Sequence, residues 1–108
     1  MSVTPTQRSM KLMRDRGYHV EVVEKWNSFT KTKKDLFGFI DVLCISEGSV
    51  VGVQSTSYTN VAARVTKIRE HELYPVVLSS GIQILVHGWH KKGRFWEVRE
   101  LDIRESVI

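Results

Sequence analysis

The chain has 108 residues, of which 42% are apolar and 26% charged, with a net charge of +4. That length suits one domain spanning residues 1–108, and 7 Gly with 2 Pro exclude a collagen-like or low-complexity chain. Its apolar runs fall far short of the ~18 residues that span a bilayer, and the polar residues after Met1, with Pro5, leave no secretory h-region.

The first element is a helix over 5–16. Thr4 is placed to cap it, Pro5 suits the first helical position, and Gln7 stands where a capping box wants Glu or Gln. Gly17 supplies the stop. The valine-rich alternation of 18–24 predicts a strand. Residues 26–35 are polar and basic and read as a loop. Residues 37–45 are apolar on both faces, which predicts a central strand. Within it Cys44, the one cysteine, reads as a small core residue in a reducing, cytoplasmic protein. Glu47, Gly48 and Ser49 form a hairpin turn, and 50–57 is the returning strand.

Thr59 is placed to cap a second helix. Val61, Ala62, Val65 and Ile68 follow the 3.6-residue period, and Asn60, Arg64, Lys67 and His71 line the opposite face. Pro75 limits that helix, 76–80 make a short helical turn, and strands follow at 82–87 and 94–103. The order is α-β-β-β-α-β-β: an α/β fold whose mixed sheet is flanked by helices.

Charge is unevenly placed. Residues 1–34 carry eight basic side chains, among them Arg8, Lys11, Lys33 and Lys34, against three acidic ones. Residues 35–63 carry Asp35, Asp41 and Glu47 and no basic residue. A solvated helix and loop account for this pattern, and so does a polyanion-binding rim around a carboxylate site.

Asp41 is the anomaly. It lies between Ile40 and Val42 in the most apolar segment, and a buried carboxylate without partners costs several kcal/mol. Such a residue belongs to a hydrogen-bond network, a metal site or a catalytic site. Gln54 and Thr56 are two apart, so both face one side of the returning strand, while Val51 and Val53 face the other. The hairpin brings Gln54 beside Asp41. Oxygen-bearing side chains on rigid strands suit Mg²⁺ or Mn²⁺.

At these residues the sequence resembles the PD-(D/E)XK nuclease superfamily, above all its Holliday-junction-resolvase-like and VRR-NUC branches, which include small phage and bacterial proteins. The resemblance rests on Gly38-Phe39-Ile40-Asp41-Val42, on Val51-Gly52-Val53-Gln54-Ser55-Thr56, on Gly17-Tyr18-His19-Val20, on Gly81-Ile82-Gln83-Ile84, and on the order of elements over residues 4–103. It implies a restriction-endonuclease-like core, αβββαβ with an added strand, and Mg²⁺- or Mn²⁺-dependent hydrolysis of DNA, branched DNA included. Asp41 matches the family's metal-binding Asp. Gln54 stands where the family carries Asp or Glu, Thr56 where it carries Lys, and Gln7 near where many members carry Glu. Gln54 brings an amide oxygen without charge, and Thr56 brings no cation. Lys67 or Arg64 on the second helix, or Lys34 from the loop, is then the substitute cation, and Asp35 a second carboxylate. The resemblance also implies a homodimer, because two nicks need two sites. DNA contacts fall to Arg8, Lys11, Lys33, Lys34, Asn60, Arg64 and Lys67. Two other readings stay open: a non-catalytic DNA-binding module with a degenerate site, and a small phage or mobile-element interaction protein.

Two further segments carry chemistry-bearing residues. His87 and His90 lack a cysteine or third histidine for a metal, so a strand end with a packed Trp89 is the simpler reading. The run 90–96 interleaves cations with Phe95 and Trp96, which suits either base stacking or a self-packed hairpin.

Overall fold

A computed structural model describes residues 3–105. The ends of the expected single domain, residues 1–2 and 106–108, lie outside that range. Helix α1 (Pro5–Asp15) starts with the capping box its sequence calls for: the Gln7 amide donates to Thr4 Oγ1 at 3.2 Å, and Gln7 Oε1 accepts from the Thr4 amide at 2.9 Å. Gly17, at φ +96°, turns the chain out of the helix. Strands β1 (His19–Val22), β2 (Lys25–Asn27), β3 (Thr32–Lys34), β4 (Val42–Ser46) and β5 (Ser49–Ser57) follow. A 3₁₀ turn over Tyr58–Asn60 leads into α2 (Val61–Glu70) and α3 (Tyr74–Ser79), and β6 (Gln83–Lys92) and β7 (Phe95–Asp102) complete the fold.

Five strands form one mixed sheet in the order β1-β4-β5-β6-β7, with β5 and β6 parallel and the other pairs antiparallel. The parallel pair requires a crossover, which α2 and α3 provide. One sheet face meets α1 through Met13, Val42, Cys44, Val51 and Val53. The other meets α2 and α3 through Ile40, Val65, Ile68, Val77, Ile84 and Val86. Cys44 is fully buried, and burial pushes its thiol up to about 11. No helix among the described residues is long and apolar enough to cross a membrane.

Five expectations are corrected. Residues 26–35 are not an open loop: β2 and β3 pair there as a separate hairpin. The strand expected over 37–45 begins only at Val42. Before it the chain reverses through Phe37 and Gly38, both at positive φ, and Ile40 donates back to the Leu36 carbonyl at 3.0 Å. Phe39 and Ile40 are apolar because they fill the core under α2, and burial along most of both faces belongs to β5, whose Val51 to Gln54 are all buried. Gly38 meets this turn twice over, since a Cβ there would also run into the His71 ring. Thr59 lies inside the 3₁₀ turn, and no side chain caps α2. Pro75 opens α3 in its first turn, where a missing N–H leaves no helical bond unmade. Finally, β6 continues past His87 to Lys92.

Candidate metal centre and its basic rim

Asp41 directly precedes β4. Its backbone N–H donates to Val53 at 2.9 Å, and its carbonyl accepts from Val23 at 2.9 Å. The residue is thereby fixed between the end of β1 and the middle of β5. Its side chain is 4% exposed. The carboxylate accepts from Gln54 Nε2 at 3.2 and 3.3 Å and from the Ser55 backbone N–H at 2.9 Å.

Two more carboxylates close on it. Oxygens of Glu24, Asp35 and Asp41 lie within 4.8 Å of one another. Glu24 follows β1 and Asp35 follows β3, so the excursion through the β2–β3 hairpin is what returns Asp35 to Asp41. Burial pushes the Asp41 carboxyl up to about 7, and the neighbouring Asp35 charge adds to this. The Ser55 N–H and the Gln54 amide act in the opposite direction.

The trio sits in a cavity of about 640 Å³. Its walls come from the start of α1, from Gln54 to Ser57 at the carboxyl end of β5, and from Asn60, Arg64 and Lys67 on the α2 side. Lys33 enters from β3, its Nζ 3.8 Å from Glu24 Oε1. Ligand clefts in open α/β sheets lie at this end of the strands. The close approach of the 3₁₀ turn and α2 to β6 depends on Gly88, where a Cβ would strike Val61 and crowd Tyr58. Three acidic side chains thus share one cleft with three cations, Lys33 beside them and Arg64 and Lys67 on the α2 side.

Asp41, Gln54, Thr56, Asn60, Arg64, Lys67 and Lys33 therefore share one cavity, as does Asp35. Gln54 presents its amide nitrogen, not its oxygen, to Asp41. Gln7, Arg8, Lys11 and Lys34 are not on the cavity wall. Gln7 is held by the helix cap. The Arg8 guanidinium lies 3.8 Å over the Trp96 ring, Lys11 pairs with Asp15 at 2.8 Å, and Lys34 is paired in register with Lys25.

Glu24 was not legible as a site residue. It reads as the polar end of an alternating strand, and only the pairing of β1 with β4 brings it to Asp41. A second network was also hidden. Ser9 Oγ, fully buried on α1, meets Ser55 Oγ at 2.7 Å, His87 Nδ1 at 2.8 Å and Trp89 Nε1 at 2.9 Å. His87 Nε2 lies 2.7 Å from Glu100 Oε2, which also accepts from Arg16 Nη1 at 2.6 Å. The hydrogen bond with His87, with help from Arg16, holds the Glu100 carboxyl down at about 2. Serine, histidine and glutamate in this order resemble a nucleophilic triad, but Ser9 and His87 have no exposed surface for a substrate. The network instead ties α1 to β6 and to Ser55, whose N–H holds Asp41. In the 90–96 run, His90 stacks on Tyr58 of the 3₁₀ turn at 4.2 Å and lies 3.3 Å from Glu97, while Phe95 is 75% and Trp96 42% exposed, so the run does not form a self-packed hairpin.

The chemistry of the donor set fits a metal. Three converging carboxylates are hard oxygen ligands, the type that Mg²⁺, Mn²⁺ and Ca²⁺ select. Glu24, Asp35 and Asp41 can hold a metal ion. No protein-family model and no curated protein matches the chain.

Proposed function

We propose that the protein is a divalent-metal-dependent endonuclease that hydrolyses DNA phosphodiesters on a restriction-endonuclease-like core, acting in the cytoplasm. The observation that carries this reading is the convergence of Glu24, Asp35 and Asp41 in a cavity that also holds Lys33, Arg64 and Lys67. Carboxylates alone would repel a phosphate, and cations alone would bind it without chemistry. The two sets together suit a metal-bound phosphodiester. The resemblance of the 38–42 and 51–56 segments to the PD-(D/E)XK nucleases supports the same assignment.

Mg²⁺ or Mn²⁺, held by Asp41 with Glu24 and Asp35, would supply charge neutralisation at the phosphate and a more acidic bound water. The chain's own groups do the rest. Gln54 and the Ser55 N–H orient the Asp41 oxygens. Lys67 or Arg64, from the α2 wall, would meet the negative charge that develops on the phosphoryl oxygens, the part a lysine at position 56 would play. Thr56 offers a hydroxyl to the water or the phosphate. Two such sites in a homodimer would cut both strands of branched DNA.

The test is cleavage of linear and branched DNA with Mg²⁺ or Mn²⁺ by the wild type and by Asp41→Ala, Glu24→Ala and Asp35→Ala. Activity lost in all three variants is expected. Cleavage that survives Asp41→Ala would place the chemistry elsewhere. A second reading, a DNA-binding module with a degenerate site, draws on the neutral Gln54 and Thr56 in the wall. It predicts metal-independent DNA binding and no cleavage by the wild type.

A further inference from the structure

The β2–β3 hairpin lies outside both hydrophobic clusters, and all six of its strand residues are exposed. A two-stranded hairpin without a buried face is marginal by itself, so its side chains point to a role other than packing. The register pairs Trp26 with Lys33. Residues directly opposed across an antiparallel pair project to the same face. Lys33 lines the carboxylate cavity, so Trp26 stands on the cavity side of the hairpin. Trp26 is 63% exposed, and Phe29 at the tip is 97% exposed.

The other two tryptophans are engaged. Trp89 donates to the buried Ser9, and the Arg8 guanidinium covers Trp96. Lys33 shares the face of Trp26, where it also lies 3.8 Å from Glu24, and Lys25, Lys31 and Lys34 add positive charge elsewhere on the same hairpin. Ammonium groups that meet phosphates beside a bare aromatic face are the combination that binds single-stranded nucleic acid. In a duplex the base faces are already stacked on one another and cannot lie on an indole.

We propose that Trp26 is a stacking platform for an unpaired DNA base, with Lys33 on the adjoining phosphate. The site's preferred substrate is then DNA with a single-stranded segment next to the cleaved bond. The DNA substrate rests on the nuclease reading, while the stacking is measured without cleavage.

The experiment measures anisotropy of labelled DNA in EDTA for a blunt duplex and for the same duplex with a single-stranded extension. The wild type is expected to favour the extended DNA on the order of 5- to 100-fold, the contribution of one base–aromatic stack. Trp26→Ala should reduce that preference to within about twofold and leave blunt-duplex affinity unchanged, while Trp26→Phe should keep most of it. Binding of the extended DNA should also quench indole fluorescence in the wild type, and less so in Trp26→Phe. A preference that survives Trp26→Ala, or a wild type that does not distinguish the two DNAs, overturns the proposal. Wild type that cleaves with Mg²⁺ while Trp26→Ala keeps the full preference for the extended DNA refutes the stacking alone. Loss of preference in Trp26→Ala without cleavage by any form refutes the nuclease reading alone. No retention of DNA at low salt refutes both.

Discussion

Replacing Asp41 by Asn removes a charge that the fold disfavours, and its effect on stability should depend on pH. Burial, helped by Asp35, moves the Asp41 carboxyl from 3.8 in its ordinary state to about 7. The folded protein therefore prefers the protonated form. The stability tied to that preference is complete below about pH 4 and is lost as pH rises to 7. At 1.36 kcal/mol per unit the full loss is about 4 kcal/mol, of which about 2–3 kcal/mol falls between pH 5 and pH 8. Asn cannot ionise, so this component vanishes. Its oxygen can still accept from the Ser55 N–H, and Gln54 need only turn its amide to accept from the new NH₂. Below about pH 4, where the carboxyl is neutral in both states, the two proteins should agree within about 1 kcal/mol. At pH 8, without metal, the variant should be more stable by about 4 kcal/mol, about 2–3 kcal/mol of it gained above pH 5. Urea unfolding in EDTA at four pH values, followed by tryptophan fluorescence, reads the difference. Added Mg²⁺ should stabilise the wild type by mass action and leave Asp41→Asn unchanged. Parallel pH profiles, or a variant that unfolds, would refute the reasoning and make Asp41 a structural hub.

Glu100 should behave in the opposite sense. His87 and Arg16 hold it down at about 2, so its contribution is present above about pH 4.5 and fades as pH falls toward 2. Glu100→Gln should therefore flatten the acid limb of the stability profile and lower stability at pH 7 by about 1–3 kcal/mol, read by the same unfolding series. Lys67→Ala should reduce cleavage about 10²–10³-fold yet weaken DNA binding only modestly, with the slope of log K against log salt flatter by about one. Gln54→Glu adds a carboxylate beside Asp41 and should tighten Mg²⁺ or Mn²⁺ binding in calorimetry. Weaker binding would mean that a fourth negative charge repels more than it ligates.

What the sequence determined by itself is local. The capping box at Thr4 and Gln7, the stop at Gly17, the turn at Glu47 and Gly48, and the apolar stripe of α2 at Val61, Val65 and Ile68 each depend on residues a few positions apart and are where their spacing implies, although Ala62, expected on that stripe, is exposed. The oddity of Asp41 was also legible, because one charged residue in an apolar run needs an explanation whatever the fold. Tertiary structure decided the company it keeps. Glu24 reaches Asp41 because β1 pairs with β4, and Asp35 does so because the chain runs out through β2–β3 and back through a turn at positive φ. Ser9 finds His87 and Glu100 only once α1 lies on β6 and β7 closes the edge. The apolar run before Asp41 misled for the same reason: Phe39 and Ile40 are buried by α2, not by a strand ladder. Periodicity records which face of an element is covered, and caps record where it ends. The meeting of residues far apart in the chain is set by strand register and helix docking, which are settled by the packing of the whole core.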